Sequence, residues 1–345
     1  MITNAKCAVL EKINKPLKIH NIKFGKLKFG QVLVKIFYSG VCGSQLMEVE
    51  GKRGKDIYLP HALGHEAVGK VIETGGGVKK ITKGDEVILS WIKSSGINST
   101  PPKFTNKKMI NAGGITTFSN YTIVSENRLI KKPKSIGMRE SLLFGCALAT
   151  GGGIVINEIL PKKNDKIVII GLGGVGLSSL LTLKALGFKK IYGVDNSPQK
   201  FVLIKKFGIK NLYNLKNKVS KKKFLKEIGT GVDYCIEAAG LTKTIELGFS
   251  LLNNNGKLIF ASHPKKSDKI SLDPHELIKG KNIKGSWGGN FNPDKDIRKL
   301  LKIFKKGNID LKILTKNIYK LKDINKAIKD LKLGKVFRPI IKMDH

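Results

Sequence analysis

Lys166-Ile-Val-Ile-Ile170 runs directly into Gly171-Leu-Gly173-Gly-Val-Gly176 and then into an apolar stretch ending at Gly187. The β-branched run reads as a buried strand, residues 174–187 read as a helix, and the glycines between them fit G-x-G-x-x-G. In that pattern the first Gly permits a tight turn. The second lets the backbone approach a pyrophosphate, and the third lets the helix pack close to the strand. The helix N-terminus adds free N–H groups and the positive end of its dipole. A lone glycine pattern is weak, but here the next strand ends in an acid, Asp195, 19 positions after Gly176. That carboxylate suits hydrogen bonds from ribose hydroxyls and repels a 2′-phosphate. The following Asn196-Ser197 offers no Arg to hold such a phosphate. The expectation is NAD rather than NADP, held by Gly171, Gly173, Gly174, Val175, Gly176 and Asp195.

Around this core the chain alternates. A second strand over 190–195 is followed by a helix over 198–207, with Pro198 where a first helical turn tolerates it. Strands over 231–238 and 256–262 flank a helix over 242–252. Such alternation predicts a parallel, doubly wound sheet. Before residue 135 the signals are those of strands, at 31–38, 67–73, 86–91 and 120–124, with a first strand within 1–11. Residues 92–111 are rich in Ser, Thr, Pro and Lys without periodicity, and are expected to form a structureless insert. After Gly289 the pattern is mixed, with helices near 294–306 and 323–333. The predicted fold is α/β, with a β-rich domain from 1–148 and 288–345 and a dinucleotide-binding domain from 149–287.

Composition narrows the function. The chain has 345 residues, 41% hydrophobic and 26% charged, so it can bury a core and is not a disordered tail. Its 64 basic and 26 acidic residues give a net charge of +38. Only Arg53, Arg128, Arg139, Arg298 and Arg338 are Arg; the rest are Lys, spread from Lys6 to Lys342. A nucleic-acid reader carries Arg and a basic face interleaved with aromatics, whereas aromatics here make up 7%. The excess therefore reads as surface decoration, with no nucleic-acid partner expected. No run approaches the ~18 apolar residues of a membrane span, and the apolar run at the start is too short for a signal peptide. Four scattered Cys are too few for a disulfide framework, so a reducing cytoplasm is the expected compartment.

Three residues could hold a metal. Cys42 follows a strand, His65 lies in Gly64-His-Glu66, and Cys146 sits where the dinucleotide domain begins. Two thiolates and an imidazole leave one tetrahedral position open, as a catalytic zinc needs. Cys on a strand is also a common core hydrophobe, and spacing alone leaves both readings open.

The run Gly64-His-Glu-Ala-Val-Gly69, with Gly75, Gly77, Gly84-Asp-Glu-Val87, Thr117-Phe-Ser-Asn-Tyr-Thr122, residues 171–178 and Gly334-Lys-Val-Phe-Arg338, resembles the zinc-dependent medium-chain alcohol dehydrogenases over nearly the whole chain. The resemblance implies a GroES-like catalytic domain beside the Rossmann domain, and reversible oxidation of a small alcohol to an aldehyde or ketone. It implies that Cys42, His65 and Cys146 bind a single catalytic zinc, with Glu66 behind it or transiently on it. Ser44 would take the substrate proton. Lys200 and Arg338 would contact the cofactor's ribose and pyrophosphate, and Trp91 and Phe118 would line the substrate pocket. A homodimer through strands near 287–292 is expected on the same ground.

The chain also departs from the family. Residues 92–111 contain no Cys, so the second, structural zinc common in the family is absent. Gln45 stands where an Asp usually buttresses the zinc-binding His, and Met47 where several relatives carry a proton-relaying His. Alternatives on the same scaffold are a dehydrogenase of a polyol, amino-alcohol or sugar derivative. Cys146 argues against the polyol type, which often has Glu there. A zinc-free enone reductase using NADPH is disfavoured by Asp195 and the full ligand set. A basic nucleic-acid-binding protein that kept the fold is the reading from a different class.

Overall fold

The structure, a computed structural model, describes residues 4–345; the first three residues of the expected first strand lie outside them. The described chain forms two compact units, one of residues 4–146, 292–298 and 311–345, the other of 147–291 and 299–310. Residues 299–310 thus join the second unit, although the sequence reading assigned all of 288–345 to the first. The reason is packing. Leu300 lies close against Gly152, and Gly307 against Ala185, with no room for a side chain at either glycine.

Among the described residues, the first unit holds a closed five-stranded barrel and a seven-stranded sheet. The barrel runs Asn4–Leu10, Lys18–Lys23, Lys103–Asn106, Lys108–Ala112 and His61–Ala62. Its interior is filled by Cys7, Val9, Ile22, Phe104 and Ile110. The sheet runs Leu129–Lys131, Glu86–Ser90, Glu66–Thr74, Gln31–Gly40, Ile340–Lys342 and Ile318–Lys320, with Tyr121–Ser125 also paired to Gln31–Gly40. The β-branched run Val32, Val34 and Ile36 makes Gln31–Gly40 its buried centre.

Two barrel strands correct the sequence reading of 92–111 as structureless. Lys103–Asn106 and Lys108–Ala112 form a hairpin turning at Lys107, with φ 52°. Phe104, Ile110 and Ala112 point inward, while Lys103, Thr105, Lys108 and Met109 are exposed and Asn106 and Asn111 partly so. The solvent-facing half of each strand therefore reads as loop composition.

The second unit is a six-stranded parallel sheet in the order Leu212–Tyr213, Ile191–Val194, Ile167–Ile170, Val232–Glu237, Leu252–Phe260 and Asn282–Gly285. This is the doubly wound order that places a dinucleotide at the carboxyl ends of the central strands. Helices Gly174–Ala185, Pro198–Lys205, Lys218–Ile228 and Thr242–Ser250 connect its strands. The segment 287–292, expected to be strand, is a turn instead. Gly288 and Gly289 adopt φ 72° and 69°, and the last strand stops at Gly285. No single helix among the described residues is long and apolar enough to cross a membrane.

Candidate functional site

Cys42 caps the short helix Gly43–Val49, His65 immediately precedes the strand Glu66–Thr74, and Cys146 ends the 3-10 turn Leu142–Gly145. Their ligand atoms all lie within 4.8 Å of one another. The two sulfurs are 3.9 Å apart, and His65 Nε2 is 3.1 Å from Cys146 Sγ. Zn–S bonds of about 2.3 Å at the tetrahedral angle set two sulfurs about 3.8 Å apart. The donor set therefore fits a tetrahedral zinc with its fourth position open. Gly64 makes the approach possible: its φ is +97°, and a Cβ there would lie 2.7 Å from the Phe118 nitrogen.

The electrostatics of this cluster are strongly coupled. A hydrogen bond from Cys146, then Arg338 and His65, hold the Cys42 thiol well below its usual range against the effect of burial. The same contact with Cys42, together with burial, pushes Cys146 well above it. Burial opposes a charge on His65, but Cys42 and Glu66 outweigh it and raise the imidazole. Without a cation, two buried thiolates this close repel; a divalent metal removes that conflict. Cys7 and Cys235 behave differently. Burial drives Cys7 up to about 12 and Cys235 well above its ordinary value, so both are core thiols.

Two residues set the surroundings. Gln45 accepts the Cys42 N–H through Oε1 at 2.9 Å, and its amide nitrogen lies against His65 Nδ1. For Nε2 to ligate a metal, Nδ1 must carry the proton and needs an acceptor. The single amide oxygen must then serve both Cys42 and His65, a double duty a carboxylate performs with two oxygens. Behind the cluster, Glu66 and Arg338 form an ion pair, with Nε 3.0 Å from Oε1 and a hydrogen bond from Nη2 to Oε2 at 3.2 Å. Arg338 also donates to the Val41 carbonyl at 3.3 Å. The pair is buried, with Glu66 at 0% exposure and Arg338 at 4%. Arg338, assigned to the cofactor by resemblance, is here the internal counter-ion of Glu66.

The other expected residues are placed unevenly. Ser44 Oγ is a buried hydroxyl with no hydrogen-bond partner among the described residues, as a group awaiting a ligand would be. Trp91 is half-buried, and its carbonyl accepts from Arg128. Phe118 is a correction: at 0% exposure it belongs to the hydrophobic core with Leu63 and Val34, and it offers no surface to a substrate.

In the second unit the three fingerprint glycines have distinct surroundings. Gly171 has φ +88°, and a Cβ there would lie 2.5 Å from the Ala239 nitrogen; one on Gly176 would strike the Gly171 carbonyl. At Gly173 nothing lies within 4 Å, which leaves open space at the start of the helix Gly174–Ala185 for a phosphate. Asp195 follows the strand Ile191–Val194. Its Oδ2 accepts from the Leu172 N–H at 2.8 Å and from Lys200 Nζ at 2.7 Å, and Oδ1 accepts from the Ser197 N–H at 2.9 Å. Sequence reasoning missed Glu237, which ends its strand at 0% exposure. Its Oε1 accepts from the Ala239 and Gly240 N–H groups at 2.8 Å each, and so fixes the loop facing Gly171. An acid at a strand end was the available signal.

Comparison with known proteins agrees with this layout. The alcohol dehydrogenase GroES-like domain model matches residues 28–134, and the zinc-binding dehydrogenase model matches 174–306. Alcohol dehydrogenase 2 of Oryza sativa subsp. japonica is 26% identical, over 99% of this chain and 98% of its own. Benzyl alcohol dehydrogenase from Acinetobacter calcoaceticus superposes with a TM-score of 0.88 at 25% identity, over 99% of this chain and 100% of its own. An alcohol dehydrogenase zinc-binding domain protein from Burkholderia ambifaria shares the fold, with a TM-score of 0.90 at 24% identity over 99% of each chain. The chain belongs to the zinc-dependent medium-chain alcohol dehydrogenase family and is an oxidoreductase.

Proposed function

We propose that this protein is a zinc- and NAD-dependent dehydrogenase that interconverts a small alcohol and its aldehyde or ketone. The observation that carries the reading is the closed triangle of Cys42, His65 and Cys146 donors, with the unpartnered hydroxyl of Ser44 two residues from the first ligand. When bound, zinc supplies the Lewis acidity that favours an alkoxide, and NAD supplies the hydride acceptor. The chain's own residues do the rest. Cys42 and Cys146 would hold the metal as thiolates and His65 would hold it through its ring nitrogen, with Gln45 orienting the ring. Ser44 Oγ would take the hydroxyl proton while giving up its own to solvent water, since no protein partner stands beside it among the described residues. Glu66 stays charged beside Arg338, and supplies negative charge behind the cluster. In the dinucleotide domain the open turn at Gly173 receives the pyrophosphate, and Asp195 with Lys200 receives the adenosine ribose.

The test is an NAD-coupled screen over simple alcohols, polyols and sugar derivatives with metal analysis of the same preparation. Turnover that needs one zinc per chain supports the reading, and turnover with NADPH in a metal-free protein overturns it.

Two expectations arise from individual residues. Asp195→Ala removes a charged acceptor, a contribution of about 1.5–3 kcal/mol. The KM for NAD should rise by about ten- to a hundredfold, with the preference over NADP reduced; an unchanged ratio of the two cofactors' kcat/KM would exclude the role. Gln45→Asp should tighten zinc by about ten- to a hundredfold, the usual reach of an outer partner of a metal-binding His. Competition with a chelator measures it, and equal affinities would mean that the amide serves His65 as well as a carboxylate does.

A further inference from the structure

Arg128 is the half-buried arginine whose charge nothing acidic offsets. Among the described residues Arg53, Arg139 and Arg338 each pair with a carboxylate, and Arg298 lies exposed. Among the described residues the hydrogen-bond partner of Arg128 is the carbonyl of Trp91, which accepts from Nη1. Burial pulls its pKa down, and no acidic side chain counters that. A guanidinium carries five N–H donors in a planar fork. Withdrawing it from water with one neutral acceptor costs free energy that a bidentate anion would restore.

Its position joins it to the metal centre. In the seven-stranded sheet Glu66 pairs with Ser90 and Ala67 with Leu89, and Leu89 pairs in turn with Leu129. Arg128 closes the 3-10 turn Glu126–Arg128 and directly precedes Leu129, so it enters the strand that lies two places from Glu66–Thr74 in the sheet. Ser90 Oγ donates at 2.9 Å to the carbonyl of Gly145, the residue before Cys146. On its other side, Nη2 of Arg128 lies 3.0 Å from where a Cβ of Gly114 would stand. The backbone from Gly114 leads to Thr117, whose N–H donates to the Leu63 carbonyl at 3.2 Å, two residues before His65. The carbonyl that holds the guanidinium and the glycine backbone it lies near therefore belong to segments that lead to the candidate metal donors.

We propose that Arg128 binds an anionic group of the substrate, so that the preferred substrate is an alcohol or carbonyl compound carrying a carboxylate or phosphate several ångströms from the reacting carbon. This inference rests on the dehydrogenase function proposed above and names its substrate class. The net charge of +38 works in the same direction, because it raises the local concentration of anions.

The test compares 4-(hydroxymethyl)benzoate with benzyl alcohol in the zinc-loaded full chain, for the unaltered protein, Arg128→Lys and Arg128→Met. The kcat/KM ratio should favour the carboxylate about ten- to a hundredfold, mainly through KM, as a charged hydrogen-bonded pair provides. Arg128→Met should bring the ratio to about one, with Arg128→Lys between. A ratio near one in the unaltered protein, or the same fractional loss on both substrates in Arg128→Met, would overturn the proposal, since mere support of the Trp91 carbonyl acts on both alike. A second readout does not need turnover. The chain has two Trp, so Trp287→Phe leaves Trp91 as the reporter beside Arg128. Benzoate or inorganic phosphate should change its fluorescence saturably, and the added Arg128→Met should abolish the change. No saturable response to either anion overturns the anion site even if benzyl alcohol is oxidised. A saturable response without turnover of any alcohol supports the site and refutes the dehydrogenase reading instead.

Discussion

Cys42→Ser and His65→Ala are each expected to release the zinc and to cost about a thousandfold or more in NAD-linked turnover. Each removes one of three donors that lie within 4.8 Å of one another, and no fourth His, Cys, Asp or Glu joins that cluster among the described residues. A Lewis acid contributes several kcal/mol to stabilising developing charge, and each 1.36 kcal/mol is about tenfold in rate. The metal must also displace a proton, because Cys42 and burial hold the Cys146 thiol well above its usual range. With at least one proton released per zinc, and a second once the raised His65 imidazole is charged, affinity falls about tenfold or more per pH unit as the pH drops. Metal content by mass spectrometry and turnover, on the same samples across pH, check both points. A Cys42→Ser protein that keeps stoichiometric zinc and full activity would move the metal site elsewhere.

Arg338→Met is expected to destabilise the first unit by about 3–5 kcal/mol, the usual cost of leaving one partner of a buried ion pair uncompensated. Glu66 is at 0% exposure and Arg338 at 4%, with both guanidinium–carboxylate contacts at 3.0–3.2 Å. The stranded carboxylate could not reach water. Gly40 and Gly145 press on Glu66 so closely that a Cβ on either would collide with it. The double variant Glu66→Gln/Arg338→Met removes the stranded charge, so it should be more stable than Arg338→Met alone by about a kcal/mol or more. Urea midpoints of the four proteins close this cycle. Strictly additive losses would show that the two side chains act independently.

The dinucleotide domain was the most legible part of the chain. Its strands are short apolar runs buried on both faces, as Ile167–Ile170 is, and they carry their signal without help from distant residues. The three candidate metal donors were legible as residues, but what bears on them was only partly so. Gln45 was visible in the sequence, yet its double duty to Cys42 and His65 appears only when both sit around one amide. The Glu66–Arg338 pair joins positions 272 residues apart, and no local pattern announces it. Phe118 reads as a pocket aromatic by its motif, while Gly64 behind it brings it into the core. The hairpin of 103–112 was hidden because a barrel strand needs apolar residues only at its inward positions, and Lys103, Thr105, Asn106, Lys108 and Asn111 take most of the others. The loop before it is tied down by Glu126, which accepts from the N–H groups of Lys79, Lys80 and Ile97 at 2.6–2.8 Å. No spacing rule points to such a carboxylate.

The most direct test of the central claim is zinc titration of chelator-treated protein, with NAD-linked oxidation of benzyl alcohol and 4-(hydroxymethyl)benzoate followed at each addition. Activity should vanish on metal removal and return linearly, reaching its plateau at one zinc per chain. Full activity in the metal-free protein, or a plateau only at two zincs per chain, would contradict it.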